Sequence, residues 1–98
     1  MSAVVITRDL MDGSRFRGAL PEVVIVRSLD AAELSAATLI LLDLSLGLDP
    51  ADVVAIGAPV VAYGAHVDTE ELEAALAAGC VDALPRSKVF RRASELLA

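Results

Sequence analysis

The run Thr38-Leu39-Ile40-Leu41-Leu42-Asp43-Leu44-Ser45 ends an apolar stretch on a single carboxylate. A strand with no polar alternation is covered on both faces, as in the middle of a parallel sheet. Asp43 then falls at the C-terminal end of that strand, where open α/β sheets form their ligand crevices. Few other residues offer chemistry. Cys80, the single cysteine, follows Gly79 in an apolar context and reads as a small core residue, with no partner for an internal disulfide. His66 is also single, and without a second His or a Cys–His spacing it reads as a solvated loop residue rather than a metal ligand. The segment Arg8-Asp9-Leu10-Met11-Asp12-Gly13-Ser14 holds two acids and one glycine, which makes its backbone a poor cradle for phosphate. No P-loop, Ser–His pattern or metal motif is present, so the chain is not expected to be an enzyme.

The elements that position these residues follow from periodicity. Ala3 to Thr7 is a short β-branched strand, broken at Arg8-Asp9. Leu10 to Leu20 has helical spacing in Leu10, Met11, Phe16, Ala19 and Leu20, and Pro21 stops it. Glu22 to Arg27 is a second strand, and Asp30 to Ala37 a short Ala-rich helix that Asp30 or Ser28 could cap. After the strand ending at Asp43, Asp49-Pro50-Ala51-Asp52 opens a third helix, with Asp49 at the N-cap and Pro50 at the first helical position. This helix is short, because Gly57-Ala58-Pro59 arrives within ten residues. Val60 to Tyr63 is the fourth strand. Asp68 caps a helix that Gly79 ends, Val81 to Leu84 is the fifth strand, and Ser87 could cap a last helix over Lys88 to Leu97. Five strands alternating with five helices give a three-layer, doubly wound α/β fold with a parallel sheet, in one domain over residues 1–98.

Charge and composition exclude several classes. With a net charge of −6, the chain lacks the basic face that nucleic-acid binding needs. Arg86, Lys88, Arg91 and Arg92 gather near the C-terminus, where they suit a helix end. No apolar run approaches the roughly 20 residues of a membrane span, and no signal-peptide pattern is seen, so a cytoplasmic protein is expected. Hydrophobic residues make up 56% of the chain, although alanine supplies 18 of them. So much apolar surface on a small domain favours a protein partner, or a homodimer, through Met11 and Phe16, the Ala74-Ala77-Ala78 strip or Phe90.

Over nearly all 98 residues the chain resembles the receiver domain of two-component response regulators. The resemblance is carried by Leu41-Leu42-Asp43-Leu44, by Pro59-Val60-Val61-Ala62-Tyr63-Gly64-Ala65, and by Ala78-Gly79-Cys80-Val81-Asp82-Ala83-Leu84-Pro85-Arg86-Ser87. It implies the flavodoxin-like strand order 2-1-3-4-5. It also implies that Asp43 holds the phosphoacceptor position, that Arg8 and Asp9 hold the two acidic-pocket positions, and that Arg86 stands at the lysine position after the fifth strand. Asp9, Asp43 and the Ser45 carbonyl would then be the ligands of a Mg²⁺ ion. Three positions depart from the pattern: Arg8 replaces the first acid, Gly64 the hydroxyl residue and Ala83 the switch aromatic. The fixed charge of Arg8 could lie against Asp9 or Asp43 and take the metal's place. The expected function is that of a stand-alone atypical receiver, signalling through protein contacts with weak or absent phosphorylation of Asp43. The alternatives are a conventional phospho-accepting receiver and a small flavodoxin-like ligand-binding protein. Simpler structural roles are a helix cap for Asp9, a loop cap or an Arg8 pair for Asp43, and a static pair with Asp43 for Arg86.

Overall fold

The computed structural model describes residues 3–65 and 67–96, so the expectation for His66 lies outside the described residues. The strands are β1 (Ala3–Ile6), β2 (Val24–Val26), β3 (Leu39–Asp43), β4 (Val60–Gly64) and β5 (Asp82–Pro85). They form one parallel sheet in the order β2-β1-β3-β4-β5, as the resemblance implies. The order in which strands are added across the sheet reverses between β1 and β3, so the switch point lies between their C-terminal ends. Ile6 is registered with Leu42, which brings the next residues, Thr7 and Asp43, side by side.

Alternation along the strands divides the core into two layers. Val5, Leu39, Leu41, Val61, Tyr63 and Leu84 pack on one face with Phe16 and Val89. These belong to α1 (Leu10–Ala19) and α4 (Arg86–Leu96). Val4, Ile6, Ile40, Leu42, Val60 and Ala62 cover the other face with Leu34, Val53 and Ala75. There the cover comes from α2 (Pro50–Val54), α3 (Thr69–Ala77) and a 3₁₀ turn over Ala32–Ala36. Asp43 and Tyr63 are register partners in β3 and β4, so both point towards the α1 and α4 layer.

Several local expectations change. The Ala-rich segment is a 3₁₀ turn whose first carbonyl comes from Ala31, with no side-chain cap from Asp30 or Ser28. The expected third helix is α2, and it is short, with Asp49 accepting from Ala51 N and Pro50 at its start. Asp68 stands at the head of α3, but its side chain makes no capping bond. Helix α4 starts at Arg86, so Ser87 lies inside it.

Gly79 ends α3 as expected. The Cys80 amide donates to Ala75 and the Gly79 amide to Leu76, the paired bonds of a Schellman turn. This requires Gly79 at φ +112°, and a Cβ there would stand 3.1 Å from Val54 Cγ1. Gly79→Ala is therefore expected to destabilise the fold by about 1–2 kcal/mol, read by urea unfolding.

Candidate functional site

The polar residues of the α1 and α4 face meet at the C-terminal end of the sheet. Asp43 is buried, with 1% of its surface exposed. Its Oδ2 accepts from the Thr7 hydroxyl at 2.7 Å. Its Oδ1 accepts from the Ser45 hydroxyl at 2.7 Å and the Ser45 amide at 3.0 Å. Asp43 thus caps the 3₁₀ turn Leu44–Leu46, and both carboxylate oxygens are engaged by the chain's own donors. Thr7 accepts in turn from the Asp9 amide at 3.1 Å. Ser45 acts here through its amide and hydroxyl, whereas the resemblance implied its carbonyl as a metal ligand.

Arg8 does not face Asp43. Consecutive residues leaving a strand point to opposite faces, and Thr7 has the inward position. The Arg8 Nε reaches the Arg27 carbonyl at 3.3 Å, in an exposed setting beside β2. Asp9 is the N-cap of α1, and its Oδ1 accepts from the Met11 and Asp12 amides at 2.9 and 3.0 Å. The simpler role considered for Asp9, a helix cap, is the one it fills.

The sequence reading overlooked Asp12. It is 4% exposed and hydrogen-bonded to the Arg86 guanidinium. Arg86 therefore pairs with Asp12, not with Asp43, while Asp9 Oδ2 stands 3.9 Å away at the rim. Burial pushes the Asp12 carboxyl above its usual range; Arg86 opposes this, and the charges of Asp9 and Asp43 add to it. Burial alone would lower the Arg86 pKa, but the Asp12 hydrogen bond and charge carry it upwards. The guanidinium also lies 5.7 Å from the Tyr63 ring centre, a cation–π contact that steadies it over the cluster.

Tyr63 supplies the floor. Its ring packs edge-on against Phe16, with centroids 5.4 Å apart. Its hydroxyl is buried and, among the described residues, has no hydrogen-bond partner. Burial pushes the phenol above its usual range; the nearby Thr7 hydroxyl opposes this but lies outside hydrogen-bond geometry. Leaving a buried hydroxyl unpaired costs free energy, so Tyr63→Phe is expected to stabilise the fold by about 1 kcal/mol in urea unfolding.

The cluster does not fit a Mg²⁺ ion. Among the described residues, no three His, Cys, Asp or Glu side chains are placed together to hold a metal. Both Asp43 oxygens already accept from Thr7 and Ser45, Asp9 Oδ1 caps a helix, and Asp12 already faces a cation in Arg86. The other departures keep their places. A Cβ on Gly64 would meet Leu44 at an ordinary 3.6 Å, so packing does not impose the missing hydroxyl. Ala83 packs partly buried against the opposite layer. No helix among the described residues is long and apolar enough to cross a membrane.

No protein-family model matches the sequence, and no curated protein does. Solved structures match over almost the whole chain. A CheY-like protein (tadZ) from Pseudomonas aeruginosa PAO1 superposes with a TM-score of 0.77 at 21% identity, covering 99% of this chain and 96% of that one. A response regulator from Hahella chejuensis gives 0.75 at 16% identity, covering 97% and 90%. The Mn²⁺-bound form of the response regulator Rcp1 gives 0.67 at 16% identity, covering 97% and 90%. With its β2-β1-β3-β4-β5 sheet and Asp43 at the end of the third strand, the chain has the flavodoxin-like fold of response-regulator receiver domains.

Proposed function

We propose that this chain is an atypical receiver domain, one unit over residues 1–98, that signals through contact with a protein partner without depending on phosphorylation of Asp43. The observation that carries this reading is the internal neutralisation of the pocket. Phosphoryl transfer to a carboxylate requires a free oxygen, a divalent cation and donors for the phosphoryl group. Here Thr7 and Ser45 take both Asp43 oxygens. The cation beside the acids is the covalently attached guanidinium of Arg86 on Asp12. Releasing these bonds would cost free energy before any acceptor chemistry began. The proposed role is that of a signalling module rather than an enzyme. Leu10 and Met11, exposed at the start of α1, offer apolar contact area to a partner or to a second copy.

Incubation with acetyl phosphate and Mg²⁺ tests this directly. The expected result is an unchanged intact mass and an unchanged melting temperature when Mg²⁺ is added. A stable gain of one phosphoryl group mapping to Asp43 would overturn the proposal.

A further inference from the structure

A second feature adjoins the Asp43 cluster, sharing Thr7 and Asp9 with it, at the C-terminal ends of β1 and β2. Arg8, Arg17 and Arg27 line one open pocket of about 200 Å³ floored by Gly13 and Ile25. We propose that this pocket binds the phosphoryl groups of a small molecule, a diphosphate in its simplest form.

The first argument is charge. The chain has 14 acids and only 8 basic residues, yet three of the basic ones converge here. Among the described residues, none of the three makes a salt bridge. Arg8 and Arg27 are held as neighbours by the bond from Arg8 Nε to the Arg27 carbonyl. That bond uses backbone, so it leaves the terminal nitrogens of Arg8 and the whole guanidinium of Arg27 available. Guanidiniums held together repel one another, and an anion between them reverses the sign of that interaction.

The second argument is where the acids went. Asp9 also lines the pocket. Its Oδ1 is occupied by two amides of α1, and its Oδ2 is the atom that leans towards Arg86. Asp12, the other acid of this loop, is buried against Arg86 and does not line the pocket. Of the two acids that make the loop a poor phosphate cradle in sequence, Asp12 is thus turned away to Arg86, while Asp9 stays on the pocket wall with one oxygen held by α1's amides. Recognition falls to arginine side chains, whose planar forks match phosphoryl oxygens in pairs.

The third argument is shape. Gly13 and Arg17 are four residues apart on α1, so they share one face, and the missing side chain at Gly13 leaves the depression that Arg17 overhangs. Drug-sized ligands occupy pockets of about 300–1,000 Å³, so this one takes only a small anion or the phosphorylated end of a larger molecule. Ile25 gives that organic body an apolar wall. The strand ends are also the edge at which open α/β sheets bind ligands.

Titration of the whole chain with pyrophosphate, followed by ¹H–¹⁵N NMR at an ionic strength of about 10 mM, tests the site. Saturable shifts are expected at Arg8, Gly13, Arg17 and Arg27, with orthophosphate weaker. Arg17→Ala and Arg27→Ala should each weaken pyrophosphate binding by at least about fivefold, while Arg91→Ala leaves it unchanged. All three arginines are exposed, so the variants should melt as the parent does. A nucleoside diphosphate that binds as well as pyrophosphate identifies the phosphoryl groups as the whole determinant; one that binds tighter adds the apolar wall. Shifts reproduced by sodium chloride at matched ionic strength, or affinity unchanged in both variants, would overturn the proposal. Such a failure leaves the reading of Asp43 intact, because Asp43, Asp12 and Arg86 do not line this pocket.

Discussion

Replacing Arg86 with alanine is expected to remove about 2–3 kcal/mol of stability at neutral pH. The loss comes less from the bond itself than from what is left behind. Asp12 is buried, and without Arg86 its carboxylate has no compensating cation. Breaking a fully buried pair costs about 3–5 kcal/mol, and an exposed pair is worth about 0–1 kcal/mol. The Arg86 side chain is 34% exposed, so the cost falls between the two ranges, nearer the buried one. The pH dependence distinguishes this from simple loss of packing. The Asp12 pKa is already raised in the folded protein, with burial as the main cause. A carboxyl raised above its unfolded value contributes most when protonated, below the unfolded pKa near 3.8, and loses that contribution as pH rises through the folded pKa. Removing Arg86 raises the folded value further. The gap between variant and parent should therefore widen from pH 4 to pH 8 in urea unfolding. Adding Asp12→Asn to Arg86→Ala should close most of it. A gap equal at both pH values would show that the guanidinium acts only through its carbon chain.

That pair also marks the limit of what could be read from the sequence. The β3 run was legible because a strand covered on both faces contains no polar residue until it leaves the core. Gly79 was legible because a left-handed helix terminus admits little else. The phase of α1 was misread. Leu10 and Met11 look like the apolar stripe, yet they are 83% and 77% exposed. Phe16 sets the true phase, and Asp12 lies four residues before it on the same face. A wheel anchored on the aromatic would have turned Asp12 inwards, towards Arg86. Thr7 was missed for a related reason. Only the pairing of Ile6 with Leu42 shows that Thr7, and not Arg8, lies beside Asp43. Strand register is a tertiary property, and no local signal states it.

Asp43→Ala is expected to cost the fold about 3 kcal/mol, and the sign of this change bears on function more than its size. A carboxylate kept for phosphoryl chemistry sits among other acids without internal compensation. Its removal relieves repulsion, so the fold gains stability as it loses activity. Asp43 has the opposite setting. It accepts three hydrogen bonds, from the Thr7 hydroxyl and from the amide and hydroxyl of Ser45. Bonds to a charged acceptor contribute about 1.5–3 kcal/mol each before the costs of ordering and desolvation are subtracted. Alanine would strip Thr7, 2% exposed, of its charged acceptor and would uncap the 3₁₀ turn at Leu44–Leu46. One term runs the other way, since Asp43 raises the Asp12 pKa through its charge and its removal eases that strain. Asn at the same position separates shape from charge. Its carbonyl oxygen keeps the Ser45 bonds, while its amide donates to Thr7 and forces that hydroxyl to seek another acceptor. The Tyr63 hydroxyl, buried nearby and unpartnered, is the available one. Asp43→Asn should therefore cost only about 1 kcal/mol. Combined with Tyr63→Phe, it should cost more than the two single changes predict, because the rescuing acceptor is gone. Parent and variants compared by urea unfolding give the answer. A stabilised Asp43→Ala would identify the carboxylate as a chemical group held at the fold's expense, whereas a loss near 3 kcal/mol makes it the keystone of the strand end.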